Sequence, residues 1–352
     1  MKAFLSAMGR TALDYRIAYL ILLSHSAIMA GLIWYMGAEP RYQTGTEYLR
    51  WSLIALTNMA LFYMLVQVVR MLIQGHERPT AALKLRMGEV LLRNDRLAHG
   101  LHSTAIFLGL IVVFGSVKST IPAIEPFSWD AFLIQLDRAI FGGIDPYVIT
   151  RAVFGNSYGV VGLNVAYNLW LVVFIASMII VPWLSNHALR LRYIHTSLLT
   201  WFVGGNIAAI YFSSAGPCFV HLLTGDQTFI PLLKLLNDVN RETGAVWALV
   251  AQDMLWSSYV AEDGVVYGIS AMPSMHVAVS VIVACVAWQS GRIWRWAGAA
   301  YAATIFIGSI QLGWHYASDG IVGGALALLF WKTSSYLASW SLDRSSPVLE
   351  PV

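Results

Sequence analysis

Long apolar stretches separated by shorter polar ones make up almost the whole chain. A helix needs about 20 apolar residues to cross the hydrocarbon core of a bilayer. Eight stretches reach or approach that length, at residues 17–36, 51–74, 101–120, 158–182, 196–214, 275–290, 293–314 and 319–340. The stretch with two adjacent glycines (196–214) and the short one (275–290) fit least well. The pattern predicts an all-α polytopic membrane protein with about eight transmembrane helices.

Composition supports the same class of protein. Of the 352 residues, 58% are hydrophobic and 12% are charged, and the mean hydropathy is +0.63. Soluble proteins usually carry about 25% charged residues. The net charge of +3 gives no reason to expect a nucleic-acid partner. The apolar stretch behind the basic N-terminus is long enough to span, so we expect a retained first helix and not a cleaved signal peptide.

Lysine and arginine in the loops indicate the orientation, because cytoplasmic loops carry an excess of them. If the N-terminus is cytoplasmic, the inner side holds most of the basic residues: Lys2, Arg10, Arg16, Arg78, Lys84, Arg86, Arg93, Arg96, Arg190, Arg192, Arg292, Arg295 and Arg344. The outer side holds fewer: Arg41, Arg50, Lys118, Arg138, Arg151, Lys234 and Arg241. This asymmetry predicts that both termini lie inside.

Three polar segments interrupt the apolar pattern at predicted helix ends. The helix at 196–214 ends in YFSSAGPCF (211–219), the helix at 275–290 begins at MPSMH (272–276), and the helix at 293–314 ends in GWHYASDG (313–320). With alternating spans, all three ends lie on the outer face. The sequence therefore predicts that they form a single site.

The polar segments contain two histidines and a carboxylate with complementary chemistry. His315 and Asp319 are four residues apart, a spacing that shares a helix face, and a carboxylate beside a histidine fixes its tautomer. His276 follows Pro273 and Ser274, which are typical of a helix start, where free N–H groups attract phosphate. One histidine could attack phosphorus while the other protonates the leaving oxygen.

These motifs resemble those of the type-2 phosphatidic acid phosphatase superfamily, and most closely its inositol phosphorylceramide synthase-type branch. The similar segments are AMPSMH (271–276), WHYASDGIVGG (314–324), SSAGP (213–217) and LDRAIFGGIDP (136–146). The resemblance implies that His315 is a nucleophile forming a phosphohistidine, that Asp319 orients it and that His276 protonates the leaving group. It also implies substrate binding by a second set of residues: Ser274, Pro273, Ser214, Gly216 and Pro217.

The resemblance also suggests a division of the chain. We expect a six-helix catalytic core of the phosphatase type, preceded by two transmembrane helices with a basic cytoplasmic loop and followed by a short cytoplasmic tail. These parts correspond to residues 101–340, 1–100 and 341–352. The implied localisation is a bacterial inner membrane, with the site on the periplasmic face.

The chain departs from the phosphatase branch in its basic residues. That branch has a Lys-x6-Arg-Pro motif and an arginine six residues before the nucleophilic histidine, where this chain has Ser309. A phosphomonoester brings about two negative charges and a phosphodiester one, so the missing cations favour transfer of a phosphate-bearing headgroup. A loop residue could still supply the charge, and the candidates are Lys234, Arg241, Arg138 and Arg151.

Other interpretations of the constellation remain open. His276, His315 and Asp319 could form a structural polar pair between helices, or bind zinc, although no fourth protein ligand is evident. The chain could hydrolyse lipid phosphates, or it could be a lipid transporter or scaffold without chemistry. The phosphohistidine route requires no metal or organic cofactor, and it needs only membrane lipids as donor and acceptor.

Overall fold

The fold is known from a computed structural model, which describes residues 2–39, 42–92, 95–261 and 268–343. Its α-helices are numbered along the chain as α1 (Lys2–Ala12), α2 (Arg16–Tyr35), α3 (Tyr42–Ile73), α4 (Pro79–Leu92), α5 (Arg96–Lys118), α6 (Ile121–Ile124), α7 (Asp130–Ile140), α8 (Pro146–Phe154), α9 (Ser157–Asn168), α10 (Trp170–Ile180), α11 (His187–Leu199), α12 (Ala209–Tyr211), α13 (Val220–Thr224), α14 (Ile230–Thr243), α15 (Trp247–Val260), α16 (Met275–Trp288), α17 (Arg292–Gln311) and α18 (Ala317–Asp343). No strand occurs within these ranges.

Within the described residues, five helical stretches are long and apolar enough to cross a membrane. They are α2, α3, α5, the stretch Ser157–Trp183 and the part of α18 from Ala317 to Leu342. The all-α membrane fold predicted from the apolar pattern is thereby confirmed.

The other three predicted spans are helical as well, but each differs from a simple apolar helix. α16 is apolar but has only 14 residues. α17 has 20 residues and begins with charged and aromatic side chains. α11 continues into α12 through a π-helical segment, Thr200–Ala208, which contains the two adjacent glycines.

Short helices fill the connections that the apolar pattern left unassigned. α4 lies within the charged residues 75–99, α6 to α8 within 121–157, and α13 to α15 within 215–273. The two longer connections bind each other through Tyr147, which donates to the Thr228 carbonyl (3.0 Å). The second connection also binds α9, where Asn164 donates to the Ala245 carbonyl and accepts the Ala248 N–H. The two connections form a cap over the bundle end where α5 finishes and α16 and α18 begin.

Arginines mark the opposite end of the bundle. Arg16 donates to the Trp340 carbonyl, Arg96 to the Trp183 carbonyl and Arg192 to the Trp331 carbonyl. Long side chains at such positions bury their stems and satisfy buried backbone oxygens. Three basic residues in the orientation argument, Arg41, Arg93 and Arg344, fall outside the described residues, as does the predicted tail from residue 344 onward.

Candidate active site

His315 lies in the turn between α17 and α18, and its backbone is tied to the end of α17. The N–H groups of Trp314 and His315 both donate to the Ser309 carbonyl, at 3.0 and 3.1 Å. The prediction that His315 and Asp319 share a helix face is wrong in detail, because α18 begins only at Ala317. The turn bends the chain so that the two side chains meet all the same.

Two oxygens face the Nδ1 atom of His315. The Ala271 carbonyl lies at 2.9 Å and Oδ2 of Asp319 at 3.4 Å. A carbonyl can only accept, so Nδ1 carries the proton and Nε2 is left with its lone pair. The ring, only 7% exposed, is thus held in the tautomer that a nitrogen nucleophile needs.

Asp319 joins the starts of α16 and α18. Its carboxylate accepts the Tyr316 N–H at 2.9 Å, and its backbone carbonyl accepts the Ser274 N–H at 2.9 Å. Asp319 is fully buried, and an ionised carboxylate in such a place requires donors around it. These bonds make Asp319 a fixed point for both histidine-bearing segments.

His276 lies in the first turn of α16. The Ser274 side chain caps this helix by accepting the Val277 N–H, as the sequence predicted. The imidazole stacks on Tyr167, with ring centroids 4.8 Å apart and planes at 22°. It also packs against the Trp170 ring, with centroids 4.2 Å apart. The Trp170 indole N–H also donates to the His276 carbonyl at 2.9 Å. Aromatic neighbours therefore fix both the ring and its backbone.

The two histidine rings face each other across a short gap, with their centroids 5.9 Å apart. Reacting atoms in a productive complex approach to about 3–3.5 Å. A phosphorus atom between the rings could meet one imidazole nitrogen while its leaving oxygen meets the other. The predicted grouping of residues 271–276 with 313–319 is therefore found in the structure.

The SSAGP loop braces this arrangement from behind. The Ser214 carbonyl and hydroxyl accept the N–H groups of Ala271 and Met272 at 2.9 and 3.1 Å. Gly216 has a φ of +96°, and a Cβ there would come within 2.9 Å of the Trp314 carbonyl, so glycine is required. Ser214, Gly216 and Pro217 are buried and do not line the cavity described next. Their substrate-binding role stays a prediction.

A cavity of about 540 Å³ opens from the two histidines into the bundle. Pro273, Ala271 and Ser270 line the polar end together with the histidines. Apolar and aromatic side chains from α3, α5 and α10 make up much of the remaining wall, among them Trp51, Leu56, Phe107, Leu108, Ile111, Phe114, Leu171, Phe174, Ile175 and Met178. A polar mouth and an oily interior suit a lipid with its headgroup at the histidines.

Two buried aspartates on α7 position the backbone around the site. Asp130 accepts the N–H groups of Ala215 and Gly216 and the Tyr316 hydroxyl, the last at 2.8 Å. Asp137 accepts those of Ala317 and Ser318 at 2.7 and 2.8 Å. Burial raises the pKa of Asp137, and the N–H bonds from residues 318 and 317 oppose that rise.

Sequence reasoning missed these two carboxylates as functional residues. The available signal was their spacing: seven residues apart, they lie on one face of a short helix that otherwise looks interfacial. It also missed Tyr167 and Trp170, for which no sequence signal exists, because their role depends on how α9 and α10 pack against α16.

The four basic loop residues proposed to supply charge do not line the cavity. Arg138 pairs with Asp145 at 2.7 Å, which raises the pKa of the arginine, and Arg241 pairs with Asp238. Within the part of the chain that the structure describes, the cationic side chain that lines it is Lys118, at the end of α5. The loop charges predict Lys118 on the outer side, and the sequence alone indicates no role for it.

A grouping of possible metal ligands lies at the other end of the bundle. Ligand atoms of Asp14, His99 and His187 all fall within 4.8 Å of one another. The nearby Arg190 guanidinium interacts electrostatically with all three, and its positive charge opposes a cation there. The residues are far from the histidine pair in the fold and take no part in the chemistry considered below.

The fold and the site together define an all-α membrane enzyme with paired histidines at the mouth of an apolar cavity. A family model described as the PAP2 superfamily, that of the type-2 phosphatidic acid phosphatases, matches residues 131–333, more than half of the chain. The chain therefore belongs to this superfamily and is a phosphatase or phosphotransferase that acts on lipids. No curated protein and no solved structure matches it.

The family match spans the two histidines, Asp319 and Asp137 of α7, and begins one residue after Asp130. It confirms the resemblance at the level of the superfamily. It lies inside the predicted core of residues 101–340, so α1 to α6 precede the matched part.

Proposed function

We propose that the protein is a lipid phosphotransferase that moves a phosphate-bearing headgroup, of the inositol phosphate type, from one membrane lipid to another. The observation that carries this proposal is the histidine pair at the mouth of an apolar cavity. Among the residues that the structure describes, the lining contains a single basic side chain besides the histidines, Lys118. One such cation suits a phosphodiester, which carries one negative charge, better than a monoester with about two. The motifs similar to the inositol phosphorylceramide synthase branch point the same way.

In the first step of the proposed reaction, Nε2 of His315 attacks the phosphorus of the donor lipid. The N–P bond forms as the bond from phosphorus to the glycerol oxygen breaks, and protonated His276 gives that oxygen its proton. Diacylglycerol leaves. The positive charge that develops on the His315 ring is stabilised by the Asp319 carboxylate beside Nδ1.

In the second step an acceptor hydroxyl attacks the phosphohistidine. Neutral His276 takes the hydroxyl proton as the O–P bond forms and the N–P bond breaks. His315 and His276 return to their starting states, so the cycle is balanced. Water in place of the acceptor would turn the same site into a phosphatase.

The proposed location is a bacterial inner membrane, with the site on the periplasmic side. Support comes from the charge distribution: arginines cluster at the bundle end remote from the histidines, and positive residues favour the cytoplasm. In this arrangement residues 1–100 form two N-terminal spans with a cytoplasmic loop, and residues 101–340 form the catalytic core.

The test incubates purified protein with radiolabelled phosphatidylinositol or phosphatidic acid, each with and without ceramide or diacylglycerol as acceptor. A new labelled lipid that appears only with acceptor supports transfer. Release of free phosphate from phosphatidic acid, with no transfer to any acceptor, replaces the proposal with a lipid phosphate phosphatase. Binding of these lipids without turnover of any of them would favour a transporter or scaffold.

A further inference from the structure

Lys118 is the last residue of α5 and lies where the cavity meets the two histidines. Its ammonium group donates to the Ser270 carbonyl at 3.4 Å and is near enough to His276 for the two groups to interact electrostatically. Its other close neighbour is the Phe114 ring, 5.9 Å from Nζ. The charged end of Lys118 therefore points into the mouth of the cavity.

The same backbone segment holds Lys118 and His315. The Ser270 carbonyl accepts a hydrogen bond from the Lys118 ammonium group, and the next carbonyl, that of Ala271, accepts one from Nδ1 of His315. Gly268 lets this segment pack closely against α5, because a Cβ at residue 268 would clash with the Lys118 carbonyl. Because the two carbonyls belong to consecutive residues, the Lys118 ammonium group and the His315 imidazole lie near each other.

Within the described residues, Lys118 has no carboxylate partner. A partly buried ammonium group with a long carbonyl bond and an aromatic ring beside it favours a nearby negative charge, which the described residues do not supply. The cavity next to it has the two histidines at its mouth and a largely apolar interior. A ligand carrying an anion at the histidines would supply that charge.

We propose that Lys118 binds the phosphate of the lipid substrate and is the cation that the phosphatase-type motifs of this chain lack. Lys118 lies outside the matched residues 131–333, so the N-terminal part of the chain completes the site built by the family core. This inference rests on the proposed function for the identity of the ligand as a phosphodiester lipid. It assigns that lipid one direct ionic contact.

Binding measured without turnover tests the inference separately from the proposed function. The full chain carrying His315→Ala is reconstituted in nanodiscs, and the binding of phosphatidylinositol and of diacylglycerol is followed by tryptophan fluorescence. Adding Lys118→Met should weaken phosphatidylinositol binding by about tenfold or more, the loss of one charge-assisted contact, and leave diacylglycerol binding unchanged. Lys118→Arg should restore most of the affinity, and the exposed Lys234→Met serves as matched control.

An unchanged affinity for phosphatidylinositol, or an equal loss for both lipids, would overturn the inference. A second measurement keeps Lys118 intact: phosphatidylinositol, but not diacylglycerol, should protect it from an amine-acylating reagent, as read by mass spectrometry. Equal acylation with and without phosphatidylinositol counts against a contact with phosphate. Neither measurement requires turnover, so a failure of the transferase assay leaves both readable.

Discussion

At the scale of single residues, His315 is held by two different acceptors. The Ala271 carbonyl is nearer to Nδ1 than the Asp319 carboxylate is, at 2.9 against 3.4 Å. The carbonyl alone is sufficient to keep the proton on Nδ1. The carboxylate then contributes chiefly by stabilising the positive charge that the ring gains when it attacks phosphorus.

Asp319→Asn separates these two contributions. Asparagine can still accept the Tyr316 N–H, and the Ala271 carbonyl still fixes the tautomer, so we expect kcat to fall by about 10²-fold with little change in KM. His315→Ala should lose at least about 10³-fold under the same conditions. If both variants were equally inactive in steady-state assays, the carbonyl would not be holding the ring.

The residues named from sequence and those missed differ in where their signal lies. His276, His315 and Asp319 stand in short motifs at helix ends, so local pattern was enough to find them. Lys118 and Tyr167 reach the site only because α5 and α9 pack beside α16, which no local pattern encodes. The same limit holds for His25, which is fully buried within α2 and pairs with Asn206.

At the scale of elements, α7 is a short helix that braces the start of α18 although it is too short to span the membrane. Asp137 accepts two successive N–H groups at the start of α18, the helix that carries Asp319. A carboxylate with two acceptor oxygens fits this pair of donors, whereas an amide offers one oxygen and sets its own N–H groups against the second donor.

Asp137→Asn should therefore destabilise the fold by about 1–3 kcal/mol, the cost of leaving a buried donor unpaired. The measurement is thermal unfolding in detergent, with activity recorded at a permissive temperature. Asp238→Asn, at an exposed position on α14, is the matched control and should change little. Equal stability of the two variants would show that Asp137 does not brace the start of α18.

The walls of the cavity belong to α3, α5 and α10, and filling the cavity should discriminate between lipids by chain length. Ile111→Trp puts a large ring into the apolar part, so KM for long-chain lipids should rise several-fold while short-chain analogues remain good substrates. Leu328→Trp, on an exposed face of α18, is the control. An equal rise in KM for long-chain and short-chain lipids would mean that the acyl chain does not lie in this cavity.

At the scale of the whole molecule, the apolar pattern predicted an all-helical membrane bundle and the rough position of each of its eight stretches. It could not predict the cap helices or the early start of α3 at Tyr42, where Thr44 and Gly45 are buried in the bundle. Those features depend on burial against neighbouring elements, which overrides local polarity. The pattern also predicted that the site lies at one end of the bundle, because successive spans alternate in direction.

The charge asymmetry leads to a topology prediction that labelling can check. Single cysteines placed in a cysteine-free background at Ser290, between α16 and α17, and at Asn237, on α14, should react differently with a membrane-impermeant maleimide in intact cells. Asn237 should be labelled from outside and Ser290 only after permeabilisation. The reverse pattern would place the histidine site in the cytoplasm.

In the proposed reaction the phosphate passes through a covalent bond to His315. The direct measurement is to quench the enzyme during turnover of a labelled phospholipid under alkaline conditions and to map the modified residue by mass spectrometry. We expect an acid-labile, alkali-stable phosphate or phospho-headgroup on His315, absent from His315→Ala and more abundant in the absence of acceptor. A covalent adduct on any other residue, or turnover that persists in His315→Ala, would contradict it.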